Sequence, residues 1–169
     1  MDAKSRILIY VVEDNKIYNR VICEYLKKQN YSNLKSFETG NECIDAVIKG
    51  EKPDIVIQDY YLEDLTGIDV LMAVKKHSKL SEFIFLTVNE SVDVAVNSIK
   101  YGAFDYVIKD DDIALKKVAD KIQKISKLIR LRQRNKAINT LMIVTILVLF
   151  LIVLLGILQV FFKIFGELG

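Results

Sequence analysis

Five short apolar runs, each followed by polar or charged residues, recur along the first two thirds of the chain. They cover residues 7–12, 33–37, 54–58, 83–87 and 104–108, and Val, Ile, Phe and Tyr dominate all but the second. Runs of this length and composition favour strands that are buried on both faces, which is the environment of a parallel sheet. We therefore predict five strands in one parallel sheet.

Amphipathic stretches, with apolar residues three or four positions apart, separate these runs. In the first stretch Ile17, Val21, Ile22, Tyr25 and Leu26 form the predicted buried face of a helix. A fifth helix is expected to begin near 110–112, where three carboxylates suit the positive end of a helix. Strands that alternate with helices over short connections predict an α/β fold, a doubly wound sheet with helices on both faces.

A long apolar segment follows the predicted domain. Residues 141–158 contain no charged side chain, and Thr145 is the one polar residue among them. Such a segment is typical of a transmembrane helix, because about 20 residues cross the hydrocarbon core of a bilayer. The alternative is a buried helix of a soluble domain, which the apolar character on all sides disfavours. We therefore predict a transmembrane α-helix at residues 139–162.

Basic residues are concentrated on one side of this segment. Those that precede it are Lys127, Arg130, Arg132, Arg134 and Lys136, whereas Lys163 and Glu167 follow it. The positive-inside rule places the preceding domain in the cytoplasm and a short tail outside. The same charges are expected to attract the lipid bilayer through anionic headgroups. Nucleic acid is the alternative partner of a basic cluster, and we expect none because no DNA-reading module is recognisable.

Composition excludes several kinds of site. The 169 residues carry a formal net charge of +2, which by itself favours no polyanionic partner. The two cysteines, Cys23 and Cys43, form no CxxC pair, so free thiols in a reducing compartment are expected. His77 is the single histidine, which argues against a histidine-ligated metal.

The predicted strands end in a distinctive set of chemical groups. Glu13 and Asp14 follow the first strand, Asp59 follows the third, Thr87 ends the fourth and Lys109 follows the fifth. Open parallel sheets bind ligands at the carboxyl ends of their strands, so these side chains are expected to meet at one edge. Clustered carboxylates disfavour one another's charge without a cation, so the acidic residues indicate a metal ion. The whole set of carboxylates, hydroxyl and amine suits a metal ion together with a phosphoryl group.

The order and spacing of these residues resemble the receiver domain of two-component response regulators, the CheY-like family. The resemblance rests on the motif VEDN at 12–15, on Asp59 with Gly67 eight residues later, on Thr87, and on GAFDYVIK at 102–109. It extends from about residue 5 to about residue 128 and implies a flavodoxin-like, five-stranded sheet of order 2-1-3-4-5, with the transmembrane helix outside it.

This resemblance implies a role for each residue of the site. Asp59 would accept a phosphoryl group and form a mixed anhydride. Mg²⁺ would be held by Asp14, Asp59 and the backbone carbonyl of Tyr61, with Glu13 acting through water or from outside the first ring of ligands. Lys109 would pair with Asp59 before phosphorylation and with the phosphoryl oxygens after it.

A switch is also implied. The hydroxyl of Thr87 would bond a phosphoryl oxygen, and Tyr106 would turn into the space that Thr87 vacates, which couples the site to the α4-β5-α5 face. Two positions depart from the family pattern. Asp110 and Glu63 stand where prolines are usual, so we expect a trans bond after Lys109 and a more flexible loop after Asp59.

The combined interpretation is a membrane-anchored single-domain response regulator at the bacterial cytoplasmic membrane. Residues 1–128 would be the receiver, 129–138 a basic juxtamembrane helix, 139–162 the span and 163–169 an extracytoplasmic tail. We expect a phosphoacceptor with self-catalysed phosphorylation and dephosphorylation rather than an enzyme. Its expected partners are a histidine kinase or phosphotransfer protein, the bilayer and a second copy in a homodimer. A phosphorylation-independent interaction module and a phosphate sink remain as alternatives.

Overall fold

The computed structural model describes residues 6–88, 92–109 and 113–166. Its five strands form one parallel sheet in the order β2-β1-β3-β4-β5, which confirms the predicted fold class and topology. Along the chain the elements are β1 Ile9–Val12, α1 Lys16–Lys28, β2 Leu34–Phe37, α2 Gly40–Ile48, β3 Ile55–Gln58, α3 Gly67–His77, β4 Glu82–Thr87, α4 Val92–Lys100, β5 Asp105–Ile108 and α5 Ile113–Gly166. The expected helix start at 110–112 lies outside the described residues.

The central strands are the most deeply buried part of the molecule. Every residue of β1 and β3 is buried, and β4 is buried after its first residue, whereas the edge strands β2 and β5 are largely half-buried or exposed. Helices cover both faces of a parallel sheet, so the inner strands have no face left for water. This explains why their sequences are continuous apolar runs rather than alternating patterns.

Helix α1 buries a different stripe from the one that its apolar pattern predicts. Ile22 and Leu26 are buried as expected, but Ile17 is 79% exposed and Val21 is 42% exposed. The third residue of the buried stripe is Asn19, which lies three positions before Ile22. Tyr25, the fifth residue of the predicted face, is half-buried. The prediction was wrong for Ile17 and Val21, because a helix that packs against a sheet buries only about one side.

The chain divides into two compact units, Met1–Ser126 and Lys127–Gly169. The first unit holds the sheet and its covering helices, and the early turns of α5 bury Ala114, Val118, Ile122 and Ile125 there. In the second unit the described side chains of 141–158 are exposed, and this stretch is long and apolar enough to cross a membrane. The finer domain boundaries stay predictions.

The loop between β3 and α3 is tied to the start of α2 by Asp64. Its carboxylate accepts hydrogen bonds from Gly40 N at 3.0 Å, from Asn41 N at 2.9 Å and from Asn41 Nδ2 at 2.9 Å. Burial raises the pKa of Asp64, but these bonds outweigh it and hold the pKa below its usual value. The loop after Asp59 is therefore restrained even though position 63 is not proline.

Replacing Asp64 by Asn should destabilise the first unit by about 0.5–1 kcal/mol at pH 7, because it removes a negative charge and one of two acceptor oxygens at the N-terminus of α2. Because the folded-state pKa lies below the unfolded one, the charged cap contributes fully above about pH 4 and is lost as the pH falls further. Urea unfolding of a fragment ending at Arg134 should show a difference between parent and D64N that shrinks from pH 5 to pH 3. Glu63→Gln, which removes the neighbouring charge, should cost little; equal costs would contradict this capping role.

Candidate functional site

The parallel register brings four strand ends to one edge of the sheet. The backbone N–H of Asp59 donates to the Val12 carbonyl at 3.0 Å, and that of Lys109 donates to the Thr87 carbonyl at 2.7 Å. The first bond aligns the residue after β3 with the end of β1, and the second aligns the residue after β5 with the end of β4. As the sequence predicted, the structure places Glu13, Asp59, Thr87 and Lys109 at the same edge.

Lys109 lies at the centre of this edge. Its Nζ is 2.5 Å from Asp59 Oδ2 and 2.7 Å from Glu13 Oε2, and about nine tenths of its side chain is buried. Burial alone would lower the pKa of Lys109, but the two carboxylates outweigh it and raise the pKa. The ammonium is therefore charged at neutral pH and neutralises part of the acidic cluster.

The acidic cluster consists of Glu13, Asp14 and Asp59, which each offer a carboxylate oxygen within 4.8 Å of the others. Burial raises the pKa of Glu13, and the charges of Asp59 and Asp14 add to the effect, while Lys109 opposes it. Three carboxylates face one ammonium here, so the cluster retains negative charge. Hard oxygen donors with an excess of negative charge fit Mg²⁺, which prefers such ligands.

The remaining predicted residues lie around this cluster. The backbone N–H of Tyr61 donates to Asp59 Oδ1 at 3.2 Å, so Tyr61 lies beside this carboxylate, with half of its own surface exposed. Thr87 is fully buried at the end of β4. Tyr106 pairs with Phe85 across β4 and β5 and is half-buried against the core. The roles of these residues in a switch stay predictions.

Two asparagines position the acidic pair. Asn15 caps α1 by accepting hydrogen bonds from Ile17 N and Tyr18 N, as its place before a helix predicts. Asn19 donates through Nδ2 to the carbonyls of Glu13 and Phe37, at 3.0 and 2.9 Å. The role of Asn19 was not predicted, and its signal in the sequence is a polar residue in the buried register of α1.

Tyr18 is a further neighbour of the site that the sequence did not indicate. The Nζ atom of Lys109 lies 4.9 Å from the centroid of the Tyr18 ring. An ammonium over an aromatic face is attracted by the ring's quadrupole. Within the described part of the chain, Lys109 thus contacts two carboxylates and one ring. Nothing in the pattern of the chain pairs these positions, because only the fold brings α1 next to the end of β5.

Close packing explains why the residue eight positions after Asp59 is a glycine, Gly67. A Cβ at Gly67 would lie 2.5 Å from Phe85 Cε1 and 2.9 Å from the Asp59 carbonyl oxygen. Its N–H donates to the Tyr60 carbonyl at 2.7 Å, and its carbonyl accepts from Gln58 Nε2 at 3.3 Å. The start of α3 therefore packs directly on the backbone of Asp59 and Tyr60.

Mg²⁺ should stabilise the folded first unit, because it binds the assembled cluster and not the unfolded chain. At one hundred times its Kd the gain is about 2.7 kcal/mol, seen as a higher Tm of the fragment ending at Arg134 at constant ionic strength. Asp14→Asn should reduce the shift, whereas Asp120→Asn, which makes the same change outside the cluster, should not. An equal shift in all three proteins would mean that the cluster does not hold the ion.

Comparison with known sequences agrees with this geometry. The model of the response regulator receiver domain family matches residues 9–123. The regulatory protein LuxO of Vibrio cholerae is 39% identical over 92 residues, which are 53% of this chain and 20% of that protein. This chain therefore spans about a fifth of the length of such curated relatives.

Solved structures give the same result. The signal receiver domain of a LuxO repressor protein from Vibrio parahaemolyticus superimposes with a TM-score of 0.68 and 30% identity, over 76% of this chain and 95% of that one. TrrA of Thermotoga maritima, crystallised with Mg²⁺-BeF, has a TM-score of 0.61 and 24% identity, over 70% of this chain and 98% of that one, and shows the fold alone. Since the family match contains the five strands and each of the strand ends that meet at the acidic cluster, this chain belongs to the response regulator receiver domain family.

Proposed function

We propose that this chain is a membrane-anchored response regulator whose Asp59 accepts a phosphoryl group. The observation that carries the proposal is the contact between Lys109 Nζ and Asp59 Oδ2, at 2.5 Å, inside the cluster of three carboxylates. The arrangement supplies a nucleophile, a fixed positive charge and a set of metal ligands at one sheet edge. Membership of the receiver family supports the same role.

The donor is a histidine kinase or a phosphotransfer protein. A carboxylate oxygen of Asp59 forms a bond to phosphorus while the bond between phosphorus and the donor's imidazole nitrogen breaks, and the electron pair leaves with that nitrogen. Mg²⁺ held by Asp14, Asp59 and the Tyr61 carbonyl, with Glu13 acting through water, would neutralise charge on the transferred group. Phosphoryl transfer depends mainly on such positioning and charge neutralisation, so the step and its reversal by hydrolysis are self-catalysed.

Lys109 and Thr87 respond to the new oxygens. The ammonium of Lys109, kept charged by its raised pKa, exchanges its contact with Asp59 for one with a phosphoryl oxygen. The Thr87 hydroxyl approaches a second oxygen, and Tyr106 turns inward. Phosphorylation thus favours the conformation in which these contacts form.

The output surface is the α4-β5-α5 face. Three side chains on or next to α4 are exposed although they are apolar or aromatic, namely Val96 at 58%, Ile99 at 51% and Tyr101 at 48%. Exposed apolar groups that lie together favour contact with another protein. A second copy of this chain or a separate partner would dock on this face.

The membrane anchor is the apolar part of α5. Its described side chains are exposed rather than packed in a core. The hydroxyl of Thr145 donates to the Leu141 carbonyl at 2.9 Å, so the polar group of this stretch is satisfied within the helix. Together with the basic residues before it, this supports one crossing of the bacterial cytoplasmic membrane, with the receiver in the cytoplasm.

Intact mass of the fragment ending at Arg134 tests the acceptor. After exposure to an acyl phosphate and Mg²⁺, we expect a single phosphoryl adduct that is absent with a chelator and absent from Asp59→Asn. Asp120→Asn should be modified like the parent. A folded fragment that neither the small donor nor a purified kinase modifies would favour the phosphorylation-independent module. An adduct that disappears rapidly, without any change in partner binding, would favour the phosphate sink.

Tyr18 should set how well Lys109 is held for the reaction. Replacing Tyr18 by Leu removes a cation–π contact worth about 1 kcal/mol, so phosphorylation by the acyl phosphate should slow roughly fivefold. Tyr18→Phe keeps the ring and should react at close to the parent rate. If both variants lose the same activity, the Tyr18 hydroxyl matters rather than the ring.

A further inference from the structure

The segment 127–136, which we call the basic collar, has an extreme charge composition. Five of its ten residues are Lys or Arg and none is acidic. The nearest carboxylates along the chain are Asp120 before it and Glu167 after it. The collar belongs to α5, and all of its residues except the half-buried Ile129 are exposed. No carboxylate within the collar itself can therefore neutralise these charges.

The basic residues of the collar do not form a single stripe. At about 100° per residue, Lys127, Arg130 and Arg134 fall within about 60° of one another, whereas Arg132 and Lys136 point to the opposite side. The apolar residues of the collar are scattered between these two groups. A helix lying on a surface, or pairing along a seam, would instead separate a charged face from an apolar face.

Distances along the helix place the collar at the edge of the apolar segment. With a rise of about 1.5 Å per residue, Lys136 lies about 7.5 Å before Leu141 and Lys127 about 21 Å before it. The headgroup layer on one side of a bilayer is about 5–7 Å thick. The charges nearest the apolar segment therefore reach the headgroups, and the farther ones lie within one or two screening lengths of the surface.

We propose that the basic collar binds the headgroups of anionic phospholipids and so gives the protein a preference for anionic membrane. This rests on the proposed membrane anchoring. Charge on opposite sides of the helix fits a layer of phosphates that surrounds it. A nucleic acid, in contrast, would approach from one side and leave the other group of charges unpaired.

Fluorescence quenching in vesicles tests this with the full chain. The chain contains no Trp, so Ile138→Trp introduces a single reporter next to the collar. The protein is reconstituted into mixed phosphatidylglycerol–phosphatidylcholine vesicles in which one lipid or the other is brominated. Quenching should favour phosphatidylglycerol by at least about fivefold, the worth of one basic residue at a membrane surface, and high salt should reduce the preference.

Two matched variants isolate the collar. Changing its five basic residues to Gln should bring the preference to about unity. Changing five exposed lysines of the first unit, namely Lys28, Lys49, Lys52, Lys79 and Lys100, to Gln alters the net charge equally and should leave the preference intact.

Three results would overturn the proposal. Equal quenching by both lipids in the parent protein would show an inserted helix without lipid selection, and would leave the proposed anchoring in place. No quenching by either lipid would remove the anchoring as well. Loss of the lipid preference when a nucleic acid duplex is added at physiological salt, but not with free phosphate, would assign the collar to nucleic acid instead.

Discussion

The contact of Lys109 with Asp59 and Glu13 is the interaction on which the rest of this structure depends. An ammonium and two carboxylates that are nearly buried are costly to desolvate, and their close mutual contact offsets much of that cost. The contact requires the ends of β1, β3 and β5 to lie at one edge. A parallel sheet provides this, since its helices return each strand to the same starting side.

Polar side chains that bond to the backbone hold the loops around this contact. Asn19 fixes the end of β1 against α1, and Asp64 fixes the loop after Asp59 against α2. Gln58 and Gly67 hold the start of α3 on the backbone of Asp59. The restraint that a proline at position 63 would supply by limiting one φ angle is here supplied by hydrogen bonds from a neighbouring helix.

Much of this architecture is readable in the sequence. Continuous apolar runs identify inner strands because both faces of each strand are covered, and alternation with helices then leaves few topologies. The charged and polar residues of the candidate site were predicted because each of them directly follows or ends such a run. The buried faces of the helices were less predictable, as Ile17 and Val21 show, because a helix on a sheet buries only about one side and apolar residues also lie outside that side.

The sequence by itself determined the order of the elements, the acidic and basic residues at the strand ends, and the apolar segment with its basic flank, because these are local patterns of hydrophobicity and charge. Only the tertiary structure decided which partners those residues have. The ring of Tyr18 beside Lys109, the amide of Asn19 behind Glu13 and the cap that Asp64 places on α2 join elements that are distant along the chain. Such contacts follow from the packing of helices on the sheet, which no local pattern encodes.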